Sequence, residues 1–203
     1  MKKYLLFISA LLFLCSFSNL AEAQRTETLF SGNVDHGGFG SLIYGVTSIN
    51  GQAAYLKGSR GAWVIRFDGG NAIHLGFGSY RTSTRFDTVD WGISDTPAPE
   101  MSSNYGGFEI EYVNRSYKLI HFGIQSTIGS GSVKYRTNTD LDKNSDNYFV
   151  VQPGANLHLN VTDWFRISGG VFYRVASNVN LEGTSSSDLS GLTGIIGLRF
   201  GWF

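Results

Sequence analysis

A single cysteine, three prolines and the want of any long apolar run after the N-terminus narrow this 203-residue chain before any motif is read. Cys15 lies inside the N-terminal apolar segment, so the rest of the chain has no disulfide to form and must cohere by hydrogen bonding and packing. No later segment reaches the roughly 18 continuous apolar residues that a spanning helix needs. Sixteen basic residues balance sixteen acidic ones, which leaves no basic footprint for nucleic acid. No G-x-S-x-G elbow and no glycine loop ending in lysine occurs, so neither a serine hydrolase nor a phosphate-cradling loop is signalled.

What is present begins with an export signal. Lys2 and Lys3 precede an apolar stretch from Tyr4 to about Phe17, and Ala21-Glu22-Ala23 supplies an A-x-A site before Gln24. This is a secretory signal peptide over residues 1–23. Leu14, bulky where a lipoprotein signal carries a small residue, argues against lipidation of Cys15. Cleavage removes two basic residues and one acidic one and leaves a net charge near −1. Residues 24–37 are polar and lack a sustained period, so they read as a periplasmic leader, and residues 38–203 read as one domain.

The chain carries 26 glycines, 15 phenylalanines and 10 tyrosines, most of them in that domain, which alternates throughout. The clearest case is the last fifteen residues. Leu192, Ile196, Leu198, Phe200 and Trp202 fall on one side, interrupted by Gly194, while Thr193, Gly197, Arg199 and Gly201 fall on the other. The same two-sided pattern predicts strands over Gly38–Ile49, Gln52–Phe67, Asn71–Thr82, Tyr105–Val113, Tyr117–Lys134, Asn147–Leu159 and Trp164–Val175. Asn50-Gly51 predicts a type I′ turn. Glycines in Gly58-Ser59-Arg60-Gly61 predict a bulge or bend, and dividing the second and fifth strands at their glycines gives a ten-stranded alternative.

Connections 83–104, 135–146 and 176–188 are long, whereas those near Asp68, Asn114 and Asn160 are short. Short turns on one side and long loops on the other are the arrangement of an outer-membrane barrel, and an even strand count brings both termini to the periplasmic side. Only a closed barrel satisfies the backbone of such strands in lipid. The expected fold is therefore all-β: an up-and-down antiparallel transmembrane β-barrel of eight strands in the cell outer membrane. A soluble barrel of lipocalin type requires the opposite facing of apolar and polar residues.

The polar side then becomes the lumen. It carries Glu109, Glu111, Arg166, Arg174 and Arg199, with His74, His121, His158, Gln125, Gln152 and Asn156. Eight strands leave an interior only wide enough for side chains, so these charges need one another. The expectation is a structural ion-pair network in which the two glutamates meet arginines among Arg166, Arg174 and Arg199. A proton or ion relay is the sharper alternative. The three histidines sit singly on separate strands, without the local spacing of a metal site, and no cofactor is implied. Asp140, Asp142 and Asp146 with Asn138 and Asn144 lack the glycine and closing glutamate of an EF-hand loop; a solvated loop is expected.

The segments GSRGAWVI (Gly58–Ile65), PGANLHLNVTDWFRISGGVFYRV (Pro153–Val175), LSGL (Leu189–Leu192) and the closing FGWF resemble an uncharacterised group of small outer-membrane β-barrel proteins of Bacteroidota-type bacteria. The resemblance implies location and fold and carries no activity. One departure is evident. The general barrel-insertion signal places apolar residues at alternate positions counted back from the final aromatic, and here those positions are Gly201, Arg199 and Gly197. Either a bulge shifts the register near Gly201, or Phe203 lies past the strand.

The resulting functional expectation is a non-enzymatic outer-membrane protein with a structural or surface-interaction role through its external loops. Its partners are outer-membrane lipid, the barrel-insertion machinery and an external partner that the sequence does not name. A narrow channel for small solutes and a lipid-modifying enzyme are the alternatives.

Overall fold

Each alternating segment is a ribbon with one large apolar face and one small or polar face, and the chain resolves that asymmetry by closing the ribbons into a tube. The computed structural model describes residues 34–85, 100–136, 145–181 and 183–203. The strands are β1 (Asp35–Ile49), β2 (Gln52–Arg66), β3 (Ala72–Arg85), β4 (Glu100–Val113), β5 (Ile120–Arg136), β6 (Ser145–Asn160), β7 (Phe165–Ser177) and β8 (Gly191–Trp202). Every strand pairs antiparallel with its sequence neighbours, and β8 returns to β1 to close the barrel.

Each of the eight pairings keeps one register from end to end. A walk along paired residues that leaves β1 at Gly37 passes Val64, His74, Glu111, Gln125, Gly154, Phe172 and Thr193 and returns to β1 at Thr47. That stagger of ten residues over eight strands tilts them by about 40°.

The outer wall is apolar. Phe77 is 69% exposed, Leu192 59% and Ile124 59%, and they project from the same faces as the alternating residues read from the sequence. The inward face divides into three levels. Phe39, Ala62, Val64, Ala72 and Val113 form an apolar floor at the end where β1 begins and β8 finishes, with Phe203 packed against them. Ile43, Leu56, Met101, Tyr105, Val133, Val150 and Leu189 belong to an apolar cluster at the other, loop end. Between them lies a band of buried polar and charged side chains.

Several expectations are corrected. There are eight strands, not ten, because β2 and β5 run unbroken through their glycines. No bulge occurs at Gly58-Ser59-Arg60-Gly61: Gly58 pairs Tyr80 and Arg60 pairs Gly78 within a continuous ladder. A side chain at Gly58 would strike the Ser79 carbonyl and the Tyr80 ring, with a Cβ only 2.5 Å from the former, so this glycine serves close approach rather than a bend. Strand β1 begins at Asp35, ahead of the expected Gly38, since Asp35–Gly37 pair with Val64–Arg66. The segment expected as a loop from 83 to 104 is shorter, because β3 and β4 pair out to Arg85 and Glu100. Likewise β5 continues to Arg136 and β6 starts at Ser145. Residues 1–33, which include the expected signal peptide and most of the leader, lie outside the described residues, as do 86–99 and 137–144 with Asn138, Asp140, Asp142 and Asn144.

The Asn50-Gly51 turn has φ of 48° and 71°, the paired positive values a type I′ turn requires. The third expected loop is partly folded. A one-turn helix α1 (Ser186–Leu189) starts from a capping box in which Ser185 and Asp188 bond reciprocally. Leu189 and Leu181 are buried in the loop-end cluster, and Asn50 donates its backbone N–H to the Asp188 carbonyl at 2.7 Å. The serine-rich connection thus lies over the short hairpin instead of standing free in solvent.

The terminal register is also resolved. Gly201 pairs Phe39 without any shift, so no bulge exists there, and Phe203 lies one residue past β8. Its parity is that of the lumen-facing set, and its ring lies 5.4 Å from that of Phe39.

Candidate functional site

The polar band gathers buried opposite charges, and it is built by register. β4 presents Glu109 and Glu111 inward because they alternate with lipid-facing Phe108, Ile110 and Tyr112. Across the narrow lumen β8 presents Arg199 and β2 presents Arg60. Both glutamates are 0% exposed.

Glu111 is the hub. Arg199 forks it, with Nη1 donating to Oε2 at 2.9 Å and Nη2 to Oε1 at 3.1 Å. Such a planar fork on a carboxylate is among the strong charge-assisted arrangements. Arg60 Nη2 adds a longer bond to Oε2 at 3.4 Å, and Asn156 Nδ2 donates to Oε1 at 2.9 Å. His74 Nδ1 lies 2.8 Å from Oε2, so that ring must carry its proton on Nδ1 to bond the carboxylate. His158 Nε2 sits 3.2 Å from Oε1 without the alignment of a hydrogen bond.

Glu109 has a different set. Tyr80 donates its hydroxyl to Oε1, Thr127 Oγ1 donates to the same oxygen at 3.1 Å, and Arg60 Nε is 2.7 Å from Oε2 as a charge contact. Arg60 therefore links both glutamates, and its Nη1 donates to Gln125 Oε1 at 2.6 Å. Two carboxylates and two guanidiniums make the cluster neutral, the condition under which charges tolerate burial. The space they occupy is provided by small residues: a Cβ on Gly78 would come within 2.2 Å of Glu109 Oε1, and one on Gly170 within 2.2 Å of Asn156 Oδ1.

Of the residues singled out in the sequence, the structure brings Glu109, Glu111 and Arg199 together. Arg166 and Arg174 are not at the glutamates. They stand eight positions apart on β7, so the strand carries one to each end of the lumen. Arg166 Nη2 donates to the Ser116 carbonyl at 3.3 Å, and its guanidinium lies 4.0 Å over the Phe203 ring. Arg174 bonds the carbonyls of Leu189, from Nε at 2.6 Å, and Ser48, from Nη2 at 3.1 Å. The two arginines thus tie the closures at the terminal and loop ends. His121 stacks on His158 with centroids 5.0 Å apart. Among the described residues no group of three or more His, Cys, Asp and Glu is placed to hold a metal.

Arg60 is the member that sequence reasoning missed, because the flanking glycines read as a bend. Parity was the available signal: Arg60 shares its face with Ala54, Leu56, Ala62 and Val64, all inward. Tyr80 carried no signal, since nothing in β3 marks its hydroxyl as reaching β4.

Chemically the cluster is a cross-brace. Both carboxylates are covered by partners, with an apolar layer above and below, and neither presents a face to a substrate.

A closed eight-stranded antiparallel barrel with an apolar outer wall and a charged, side-chain-filled interior is a small transmembrane β-barrel. No family model and no curated protein matches the chain. Among solved structures it is similar to Neisserial surface protein A, with 10% identity over 83% of this chain and 99% of that one and a TM-score of 0.56. It is also similar to Ail, the attachment invasion locus protein of Yersinia pestis, in complex with the heparin analogue sucrose octasulfate, with 13% identity over 82% and 98% of the two chains and a TM-score of 0.54. At these identities the likeness concerns the fold.

Proposed function

We propose that the protein is an outer-membrane barrel that acts through its loop end, making surface interactions outside the cell, rather than as a channel or an enzyme. The observation that carries this reading is the three-level interior. A polar band packed between two apolar clusters fills the lumen with side chains among the described residues, which supports partners meeting the outer wall and the ends rather than a pore. Residues 1–23 serve as the signal peptide and the mature chain begins at Gln24. The terminal end faces the periplasm, and the end bearing Asn50-Gly51, α1 and the strand ends Arg85, Glu100, Arg136 and Ser145 faces outward. Fold-level likeness to Ail and to Neisserial surface protein A supports the reading, as does the resemblance to small barrels of Bacteroidota-type bacteria. The insertion machinery and outer-membrane lipid are its constitutive partners.

The test is fractionation followed by surface accessibility. The mature protein should stay in the membrane fraction after carbonate washing and migrate differently on gels before and after boiling. An epitope inserted between residues 137 and 144 should be detected on intact cells. Recovery in the soluble periplasmic fraction, or an epitope visible only after lysis, would reject the proposal.

A further inference from the structure

The apolar wall is incomplete on one side. On β7 and β8 large apolar residues continue up to Tyr173, 52% exposed, and Leu192, 59% exposed. On β3 and β4 they stop at the edge-to-face pair Phe77–Phe108, with centroids 5.7 Å apart. Above that pair the outward positions are Ser79 and Arg81 on β3, Gly106 and Asn104 on β4, and Ser59 and Lys57 on β2. The strand tilt and register place Lys57 and Arg81 level with Tyr173 and Leu192 across the barrel. A basic, polar notch therefore cuts into the upper edge of the apolar belt, at the depth where acyl chains meet headgroups.

The notch is concave, with a volume of about 490 Å³, and is lined by Tyr44, Lys57, Ser59, Ser79, Arg81 and Asn104, over a floor that includes Gly58. No acidic side chain lines it. Lys57 and Arg81 are direct cross-strand partners on the outer face and both are exposed. Like charges placed opposite one another disfavour a sheet unless something neutralises them. Arg81 is also oriented: its Nε donates to Asn104 Oδ1 at 2.9 Å, which leaves the two terminal nitrogens as a fork for a bidentate oxyanion. Ser59 and Ser79, the next outward pair of the same ladder, add hydroxyl donors beside the two cations.

We propose that this notch on the outer wall of β2–β4 binds the phosphate headgroup of an anionic membrane lipid. The lipid's acyl chains would lie down the wall over Phe77 and Phe108, and its phosphate would sit between Lys57 and Arg81. The inference depends on the barrel lying in a membrane but not on what its loop end contacts.

The experiment measures lipid retention by native mass spectrometry on the full mature protein released from micelles doped with phosphatidylglycerol or phosphatidylcholine. Two basic side chains beside an anionic headgroup should favour the phosphatidylglycerol adduct by about 30-fold. Lys57→Gln with Arg81→Gln should bring retention down to the phosphatidylcholine level, and Lys57→Arg with Arg81→Lys should keep the preference. Lys118→Gln, at the terminal end, should leave it unchanged. Ser59→Leu with Ser79→Leu, which fills the depression without removing charge, should also abolish it and serves if the glutamine pair does not fold. Equal retention of the two lipids, a preference that survives these changes, or displacement of phosphatidylglycerol by an equal concentration of inorganic phosphate would overturn the proposal. The membrane-fraction result is untouched by any of these outcomes.

Discussion

The guanidinium of Arg166 lies 4.0 Å over the ring of Phe203, so the final residue of the chain sits inside the barrel and is held there by a buried cation. Trp202, its neighbour, points outward and is 69% exposed. Adjacent aromatics thus have opposite duties. Phe203 is half-buried against the floor, so Phe203→Ala should cost about 1–3 kcal/mol, below the range for emptying a fully buried aromatic site. Trp202→Ala should cost less than half of that when both are unfolded by urea from the same micelles. Equal losses would mean that Phe203 does not form the floor.

The Arg199–Glu111 fork makes a second prediction. Removing either partner leaves a buried charge uncompensated, so Glu111→Ala and Arg199→Ala should each destabilise by about 3–5 kcal/mol. A surface change such as Lys118→Ala should stay within about 0.5 kcal/mol. The double change Glu111→Ala with Arg199→Ala should lie well short of the sum of the singles, because it removes both charges together. Additive losses would show that the pair is not coupled.

Gly78 tests the packing around Glu109. An added methyl group must displace Glu109 Oε1, which two hydroxyls hold in place while Arg60 holds the other carboxylate oxygen. Gly78→Ala should therefore lower stability by about 1–3 kcal/mol, as overpacking does, although alanine suits a strand better than glycine. Gly169, where an added Cβ meets nothing within 4 Å, is the control. There Gly169→Ala should be neutral or slightly stabilising.

Conductance separates the sealed lumen from a pore. Purified protein in planar bilayers should show no steady current steps across a wide voltage range. Leu189→Gly with Phe203→Gly, which thins both apolar layers but leaves the polar band, should still not conduct, since the band itself fills the section. Reproducible steps from the unmodified protein would favour the solute channel.

Strand number, facing and most strand ends were legible because alternation is a local property, and lipid outside with charge inside leaves only one parity for each strand. Loop lengths were overestimated at 83–104 and 135–146. Beyond the membrane a strand no longer needs an apolar face, so its period fades while its backbone pairing continues. The identity of the cross-brace was only half legible. Glu109, Glu111 and Arg199 declare themselves as charges on the lumen face, but which cation meets which carboxylate depends on the ten-residue stagger. That quantity belongs to the whole closed circle and to no single segment, and it is why Arg60 enters the cluster while Arg166 and Arg174 are carried to the ends.

The inward Phe203 also couples the barrel seam to the floor. Its contacts are Phe39 on β1 and Arg166 on β7, and it follows β8, the strand whose pairing with β1 completes the circle. The part of the floor that Phe203 supplies is therefore complete only when the seam is shut, although Phe39, Ala62, Val64, Ala72 and Val113 all come from β1–β4. Closure of the seam, exclusion of water from the interior and engagement of the buried charges are consequently coupled through one ring.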